Sequence, residues 1–161
     1  MPVTVTAPRG LNRLAPALRA IVVRVLREEG RRVGEIAVVL SDDALLRRIN
    51  HDWRGIDRTT DVISFAYDEH EPDADARPIR GDLVVSLDRV RSQARRYRVT
   101  AGSELVRLVV HGALHLCGHD HARAAERQRM RTRERSAMRL ARASVRAVDD
   151  TLGRAAVRSR A

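Results

Sequence analysis

The hydrophobic residues of this chain follow two patterns: short runs rich in valine and isoleucine, and longer stretches with apolar residues at helical spacing. The short runs predict β-strands, because β-branched side chains favour extended backbone. The longer stretches predict helices that each turn one face to a core. The predicted strands cover residues 3–6, 35–40, 61–67 and 81–87.

The predicted helices lie between and after these strands. They are expected from Leu14 to just before Gly30, after an N-cap at Ser41, over residues 88–97, after an N-cap at Ser103, and from Asp120 or His121 onward. Loops are predicted over residues 50–60 and 68–80. Because strands and helices alternate, the pattern predicts a single α/β (α+β) domain with a mixed sheet of about four strands covered by helices.

Length and composition fit one globular domain. The chain has 161 residues, of which 43% are hydrophobic, enough to bury one core but not two sizeable ones. We expect the domain to span residues 1–141 and residues 142–161 to form an arginine-rich tail that could be partly disordered. The single cysteine, Cys117, excludes an intrachain disulfide.

The charge of the chain is strongly positive. All 31 basic residues are arginine, against 21 acidic residues, and the formal net charge is +10. From residue 122 onward there are 12 arginines and four acidic residues, so +8 of that charge lies in this part. The absence of lysine could reflect coding bias, but guanidinium groups suit bidentate contact with phosphate. The balance therefore favours a polyanion partner.

The start of the chain does not resemble a secretion signal, because no basic residues followed by an apolar run open it. No stretch approaches the roughly 20 apolar residues of a membrane span. We therefore expect a cytoplasmic protein without membrane contact. Nothing in the sequence indicates its oligomeric state.

Four of the six histidines lie in a single apolar segment. On a helix, His111 and His115 share one face about one turn apart, which suits two imidazole ligands to one metal ion. His119 would join them if the helix continued, but Gly118 is a typical helix stop, and a turn there could bring His121 back instead. Three histidines without a fourth protein ligand leave a coordination position open for water or substrate.

The chemistry of such a site would be hydrolytic, because zinc held by three histidines supplies an activated water and a Lewis acid. The peptidase motif His-Glu-x-x-His has a glutamate general base after its first histidine, and here that position is Gly112. The sequence therefore argues against ordinary peptidase chemistry. The structural alternative is a core helix whose histidines are simply hydrogen-bonded.

The segment from His111 to His121 has the form His-Gly-x-Leu-His-Leu-x-Gly-x-Asp-His. It resembles the signature of the YbeY-type family, bacterial metal-dependent endoribonucleases implicated in ribosomal RNA maturation. Residues 50–65 and 81–86 are also similar to stretches of that family. One position departs from the pattern, since His119 stands where a tyrosine is usual.

The resemblance implies a small sheet around a central metal-bearing helix, with one Zn²⁺ held by His111, His115 and His121. It implies that Arg54, in the stretch Asn-x-x-x-Arg-Gly, contacts RNA and stabilises the charge that develops on phosphate. The implied function is zinc-dependent, single-strand-specific endoribonuclease activity in ribosomal RNA processing and in ribosome maturation and quality control. Ribosomal RNA and the small ribosomal subunit are the implied partners.

Several other residues remain open to two interpretations. Asp120 could orient the third metal ligand or cap the final helix. Asp61 and Ser64 could border the cleft or be ordinary polar residues of a strand. Trp53 is expected to anchor a loop to the core. Arginines of the C-terminal segment are expected to add sequence-independent RNA contacts.

Two other functions use the same residues. One is a metallopeptidase-like hydrolase with the same three histidines, and the other is a non-catalytic ribosome assembly factor that zinc stabilises. A peptidase would need a general base that the sequence does not offer at Gly112, and an assembly factor would tolerate loss of the open coordination position. No role is predicted for His51 or His70.

Overall fold

The sheet is built from β1 (Val3–Thr6), β2 (Val33–Ser41), β3 (Val62–Ala66) and β4 (Ile79–Ser86). The computed structural model describes residues 2–160, and side chains for residues 2–155. The strand order is β1-β2-β4-β3. The first three strands of this order run parallel, and β3 pairs antiparallel with β4 at one edge. All four strands lie where the β-branched runs predict them.

Helices pack around this sheet. Within the described residues they are α1 (Ala15–Glu28), α2 (Asp43–Arg54), α3 (Leu87–Tyr97), α4 (Ala101–Leu116), α5 (Ala124–Leu140) and α6 (Arg142–Arg160), with 3₁₀ turns at Asn12–Leu14 and Ala74–Ala76. The prediction of one α+β domain with a mixed four-stranded sheet covered by helices is confirmed. No helix within residues 2–160 combines the length and apolar character needed to cross a bilayer.

Helix α4 lies at the centre of the core. It contacts β3 and β4 on one side and α1, α3, α5 and α6 on the others. Leu105, Leu108 and Val109 are each at most 1% exposed, as expected for a helix that is apolar nearly all round. The helix that carries His111 and His115 is therefore held from several directions.

The opposite face of the sheet is covered by α2. Leu46 of this helix packs against Ile63 and Val84 in a second, smaller apolar cluster. Leu83 and Val85 point to the main core instead, because successive residues of a strand face opposite sides of the sheet. The same alternation turns Ser64 of the edge strand β3 toward α4.

Two of the predicted N-caps are wrong. Asp42, not Ser41, caps α2, and its Oδ1 accepts a hydrogen bond from the backbone N of Leu45 at 3.0 Å. Thr100, not Ser103, caps α4 by accepting from the backbone N of Ser103 at 3.0 Å. In both places several residues of a good capping type lie close together, so cap preference alone does not choose between them.

Helix α2 is also longer than predicted. It continues to Arg54, so the predicted loop over residues 50–60 is wrong in its first part. The helix ends at Gly55, whose φ of 69° lies in the left-handed region that favours glycine. Arg54 is thus the last residue of a helix, and its position is fixed more firmly than a loop residue's would be.

The acidic segment over residues 68–80, predicted as a loop, is attached to the body by two arginines. Arg31 Nη2 donates to the carbonyl oxygen of Ala74 at 2.9 Å, and Arg32 Nη2 donates to that of Ala76 at 2.6 Å. Strand β4 already begins at Ile79. These contacts hold the segment beside the end of α4.

The C-terminal part differs from the expectation of one helix from Asp120 or His121. The chain stays non-helical until Ala124 and forms two helices, α5 and α6, that break at Ala141. Helix α6 packs on α1 and α4, and Val148 is fully buried. Asp149 Oδ1 accepts a hydrogen bond from the backbone N of Gly102 at 2.6 Å. The segment expected to fray therefore covers the start of the central helix.

Candidate metal centre

The end of helix α4 shapes the site. Gly118 follows the helix with a φ of 95°, and its backbone N donates to the carbonyl of His115 at 3.0 Å. The backbone N of His119 donates to the carbonyl of Leu114 at 3.1 Å. This pair of bonds is a Schellman motif, in which glycine takes the left-handed position. The predicted helix stop at Gly118 is confirmed, and the chain turns back toward the helix face.

The turn brings three histidines together. One ligand atom from each of His111, His115 and His121 lies within 4.8 Å of the others. The Nε2 atoms of His111 and His115 are 3.1 Å apart, and the ring centroid of His121 lies 5.1 Å from that of His115. Imidazole nitrogens at this spacing can converge on one ion, so the residues present fit a metal.

The pKa of His115 also suits a metal ligand. Burial lowers the pKa of His115, and the charges that His111 and His121 carry when protonated lower it further. A lowered pKa favours the neutral imidazole, which is the form that binds metal ions. The electrostatics of the cluster and its geometry therefore agree.

His119 does not join the three histidines. Its Nε2 donates to Oε2 of Glu29, at the end of α1, at 2.7 Å. Glu29 also pairs with Arg133 of α5, whose Nε lies 3.5 Å from Oε1. The side chain of His119 is therefore held on the α1 side of the turn, away from the cluster.

Two residues that the sequence interpretation did not single out hold the cluster in place. Glu134 of α5 contacts Nδ1 of His111 through Oε1. Arg127, also on α5, donates to the carbonyl oxygens of His121 and Ala122, both at 3.2 Å. The available signal was weak: Glu134 is an acidic residue in an arginine-rich stretch, and Arg127 is one arginine among many.

The three histidines open onto a cleft of about 650 Å³. Arg54 at the end of α2 lines this cleft, as do Asp61 and Ser64 of the segment that leads into and forms β3. The side chain of Arg54 is exposed. The structure thus brings Arg54, Asp61 and Ser64 to the same space as the histidines.

Ser64 and Asp61 also make structural contacts. Ser64 Oγ donates to the carbonyl oxygen of Gly112 at 3.2 Å, which ties β3 to α4. Asp61 Oδ1 accepts from the backbone N of Val62 at 2.8 Å. Both residues therefore border the cleft and stabilise the strand, so the two interpretations of each do not exclude one another.

Asp120 lines the cleft but does not cap the final helix, because α5 begins at Ala124 after its N-cap, Arg123. Its Oδ1 accepts from the backbone N of His121 at 2.6 Å. The same oxygen lies 3.9 Å from Nδ1 of His121, too far for a hydrogen bond. Asp120 thus shapes the backbone of the turn beside this histidine.

Gly112 faces the sheet. A Cβ at this position would meet Leu83 Cδ2 at 2.9 Å and Val62 Cγ2 at 3.3 Å. A side chain at the residue after His111 would therefore press on side chains of β3 and β4, which would have to shift. Glycine at this position fits the close packing of α4 on the sheet.

Other residues considered from the sequence lie outside the cluster. His51 pairs with Asp52 and His70 with Glu69 on the surface. Trp53 is 75% exposed, so the expectation that it anchors a loop to the core is wrong; its ring lies 5.9 Å from that of Phe65. Burial raises the pKa of the Cys117 thiol to about 12, so it stays protonated.

The family model for "Endoribonuclease YbeY" matches residues 10–142, which include every residue of the cluster and its cleft. The chain belongs to the YbeY family. The match to YbeY extends from just before the first 3₁₀ turn to the start of α6, so nearly all of α6 lies beyond it.

Individual YbeY relatives agree with the family match. The chain is 41% identical over 127 residues to Endoribonuclease YbeY of Anaeromyxobacter sp., covering 79% of this chain and 64% of that protein. It is 40% identical over 141 residues to Endoribonuclease YbeY of Pelotomaculum thermopropionicum, covering 83% and 93%. The first match thus spans less than two thirds of the relative's length.

A solved structure has a similar fold. The solution structure of a protein from Thermotoga maritima is similar to this chain with a TM-score of 0.63, over 90% of this chain and 92% of that one. The two sequences are 24% identical over this match. This similarity supports the arrangement of sheet and helices.

Proposed function

We propose that this protein is a zinc-dependent endoribonuclease that cleaves single-stranded RNA in ribosomal RNA processing and in ribosome maturation and quality control. The observation that carries the proposal is the convergence of three histidines, with ligand atoms within 4.8 Å of one another, on a cleft that Arg54 also lines. The names of the YbeY relatives, all endoribonucleases, support the same reaction class.

His111, His115 and His121 would hold the metal, each through one ring nitrogen. Zinc suits this donor set, because it accepts imidazole ligands in tetrahedral geometry and keeps one position open in catalytic sites. When bound, the ion supplies a Lewis acid and an activated water for hydrolysis. The chain contributes neutral imidazoles, and α4 and the turn after Gly118 keep them in position.

Arg54 is the residue that we assign to the phosphate. Arg54 lines the cleft with the histidines, and the planar guanidinium of an arginine suits bidentate contact with phosphate. A donor aimed at the phosphoryl oxygens stabilises the charge that develops there during cleavage. The location of Arg54 at the end of a helix supports this role, since the backbone that carries the side chain is already ordered.

The proposed substrate is ribosomal RNA, within or released from the small ribosomal subunit, which makes the protein cytoplasmic. The cleft is an open space of about 650 Å³, suited to an exposed single strand whose backbone can enter it. Arginines of the C-terminal segment would add affinity through phosphate contacts, which position RNA without reading its sequence. We also propose that residues 1–141 form the catalytic domain, with residues 142–161 as an appended segment.

The proposal is tested by removing the metal and returning it. Full-length protein treated with a chelator should lose cleavage of a single-stranded ribosomal RNA fragment, and stoichiometric Zn²⁺ should restore it. A double-stranded version of the same fragment should stay intact throughout. Cleavage that persists after the metal is removed would argue against a metal-dependent nuclease.

A further inference from the structure

Glu134 of α5 reaches the rear of the histidine cluster and contacts Nδ1 of His111 through Oε1. We propose that Glu134 is a positioning residue of the metal site, which fixes the orientation and the tautomer of His111. This inference rests on the proposed function, in which His111 is a metal ligand. It assigns a role to a residue far from the histidine motif in the sequence.

The packing of α5 holds Glu134 toward α4. Met130 and Ala137, on the same side of the helix, are 3% and 8% exposed, and residues three or four apart share a helix face. The side chain of Glu134 is itself 17% exposed. Its carboxylate is therefore carried by a buried helix face and has little freedom to leave His111.

The contact decides which ring nitrogen of His111 carries the proton. A carboxylate accepts hydrogen bonds, so Nδ1 beside Glu134 must be the protonated nitrogen, and the lone pair of the neutral ring lies on Nε2. Nε2 is also the atom that faces Nε2 of His115, at 3.1 Å. Glu134 thus turns the free nitrogen of His111 toward the point where the cluster converges, as carboxylates behind metal-bound histidines do.

A cation, Arg107 of α4, lies near Glu134. Burial lowers the pKa of Arg107, but its hydrogen bond to the buried Glu104 and the charges of Glu104, Glu134 and Asp61 outweigh this and raise it. Arg107 Nε donates to Glu104 Oε1 at 3.0 Å, which fixes the guanidinium on α4. Arg107 and Glu104 lie on α4 and Glu134 lies on α5, the same two helices that form the contact between Glu134 and His111.

Zinc affinity tests the inference directly. Wild type, Glu134→Gln and Glu134→Ala would be titrated with Zn²⁺ in competition with a chromophoric chelator, and the visible spectrum of the Co²⁺-loaded proteins recorded. Loss of such a carboxylate weakens metal binding roughly 10- to 100-fold, so we expect that loss in Glu134→Ala. Glu134→Gln should lose less, because its amide oxygen still accepts from Nδ1, and both should alter the Co²⁺ spectrum.

The matched control is Glu126→Gln, which removes the same charge from the same helix. Glu126 Oε2 accepts from the backbone N of Arg123 at 3.3 Å and contacts no histidine of the cluster, so zinc affinity should stay at the wild-type level. Thermal melting of the metal-free proteins checks that each variant is folded. If Glu134→Ala does not fold, the zinc affinity of Glu134→Gln alone tests the inference. Zinc affinities and Co²⁺ spectra equal to those of Glu126→Gln would overturn the inference.

The outcome separates this inference from the proposed function. If the Glu134 variants bind Zn²⁺ more weakly than wild type, but wild type leaves RNA intact, the positioning role would be supported and the proposed nuclease activity contradicted. If wild type cleaves RNA with the metal, and the Glu134 variants bind Zn²⁺ as tightly as wild type, the positioning role alone would be contradicted. A wild-type protein without zinc affinity would contradict both.

Discussion

Ser64 of the edge strand donates a hydrogen bond to the backbone carbonyl of Gly112, at 3.2 Å. The contact is possible because Gly112 has no side chain on the face of α4 that meets the sheet. It sets the distance between β3, which borders the cleft, and the helix that carries His111 and His115. Gly112, which stands where a peptidase has its glutamate base, thus also allows the wall of the cleft to lie close to the histidines.

Replacement of Gly112 by alanine should destabilise the protein, because the new Cβ would meet Leu83 Cδ2 at 2.9 Å. Overpacking of this kind costs about 1–3 kcal/mol. The control is Gly153→Ala in α6, where nothing lies within 4 Å of the new Cβ and helix propensity should add about 1 kcal/mol. Since both variants gain helix propensity, their free energies of unfolding in urea should differ by about the overpacking cost. Equal stability of the two variants would contradict this view of the α4–sheet contact.

Metal content should distinguish the two histidines after the helix stop. His121→Ala should lose the bound ion, because the cluster then keeps only His111 and His115. His119→Ala should retain it, because the side chain of His119 pairs with Glu29 instead. Metal analysis of the purified variants by mass spectrometry measures this, and the reverse pattern would make His119 the third ligand.

Arg54→Ala should slow RNA cleavage on the order of 10²–10³-fold while leaving RNA affinity nearly normal, since a transition-state donor is lost rather than a binding contact. Arg48→Ala is the matched control, because Arg48 lies on the same helix but not among the residues that line the cleft. Single-turnover cleavage and filter binding give the two quantities. A loss of affinity without a loss of rate at saturation would reassign Arg54 to binding.

The sequence predicted the part of the site that is local. The spacing of His111 and His115 and the glycine that ends their helix lie within eight residues of one another, and helical periodicity relates them directly. The prediction that Arg54 belongs to the site came from the family resemblance and not from a local pattern, because α2 and α4 are far apart in the chain. The positions of the four strands also followed from local composition.

The contacts behind the site were not predictable in this way. Glu134 meets His111 only because α5 packs against α4, and nothing in the arginine-rich sequence around it indicates which face turns inward. Glu29 accepts a hydrogen bond from His119, although the two residues are 90 positions apart in the sequence. Such pairs depend on tertiary packing, which periodicity does not specify.

The C-terminal segment shows the same limit. Few large apolar residues occur there, so the sequence favoured a frayed tail, yet Val148 is buried and Asp149 bonds to the start of α4. Val145, Leu152 and Ala155 are partly buried against the same core as Val148, and their helical spacing places them on one face of α6. Arg142, Arg146 and Arg154 are therefore carried by a packed helix and not by a frayed tail.

The central claim is that the three histidines hold the metal with which this protein cuts RNA. Its most direct test compares wild type and His115→Ala, prepared identically and supplied with Zn²⁺, on a single-stranded ribosomal RNA fragment and on a peptide mixture. Wild type should cleave the RNA, His115→Ala should not, and neither protein should cleave the peptides. Equal RNA cleavage by both would indicate a contaminating nuclease and favour a non-catalytic assembly factor. A fully zinc-loaded wild type that cleaves peptides and leaves RNA intact would contradict the account in favour of a peptidase.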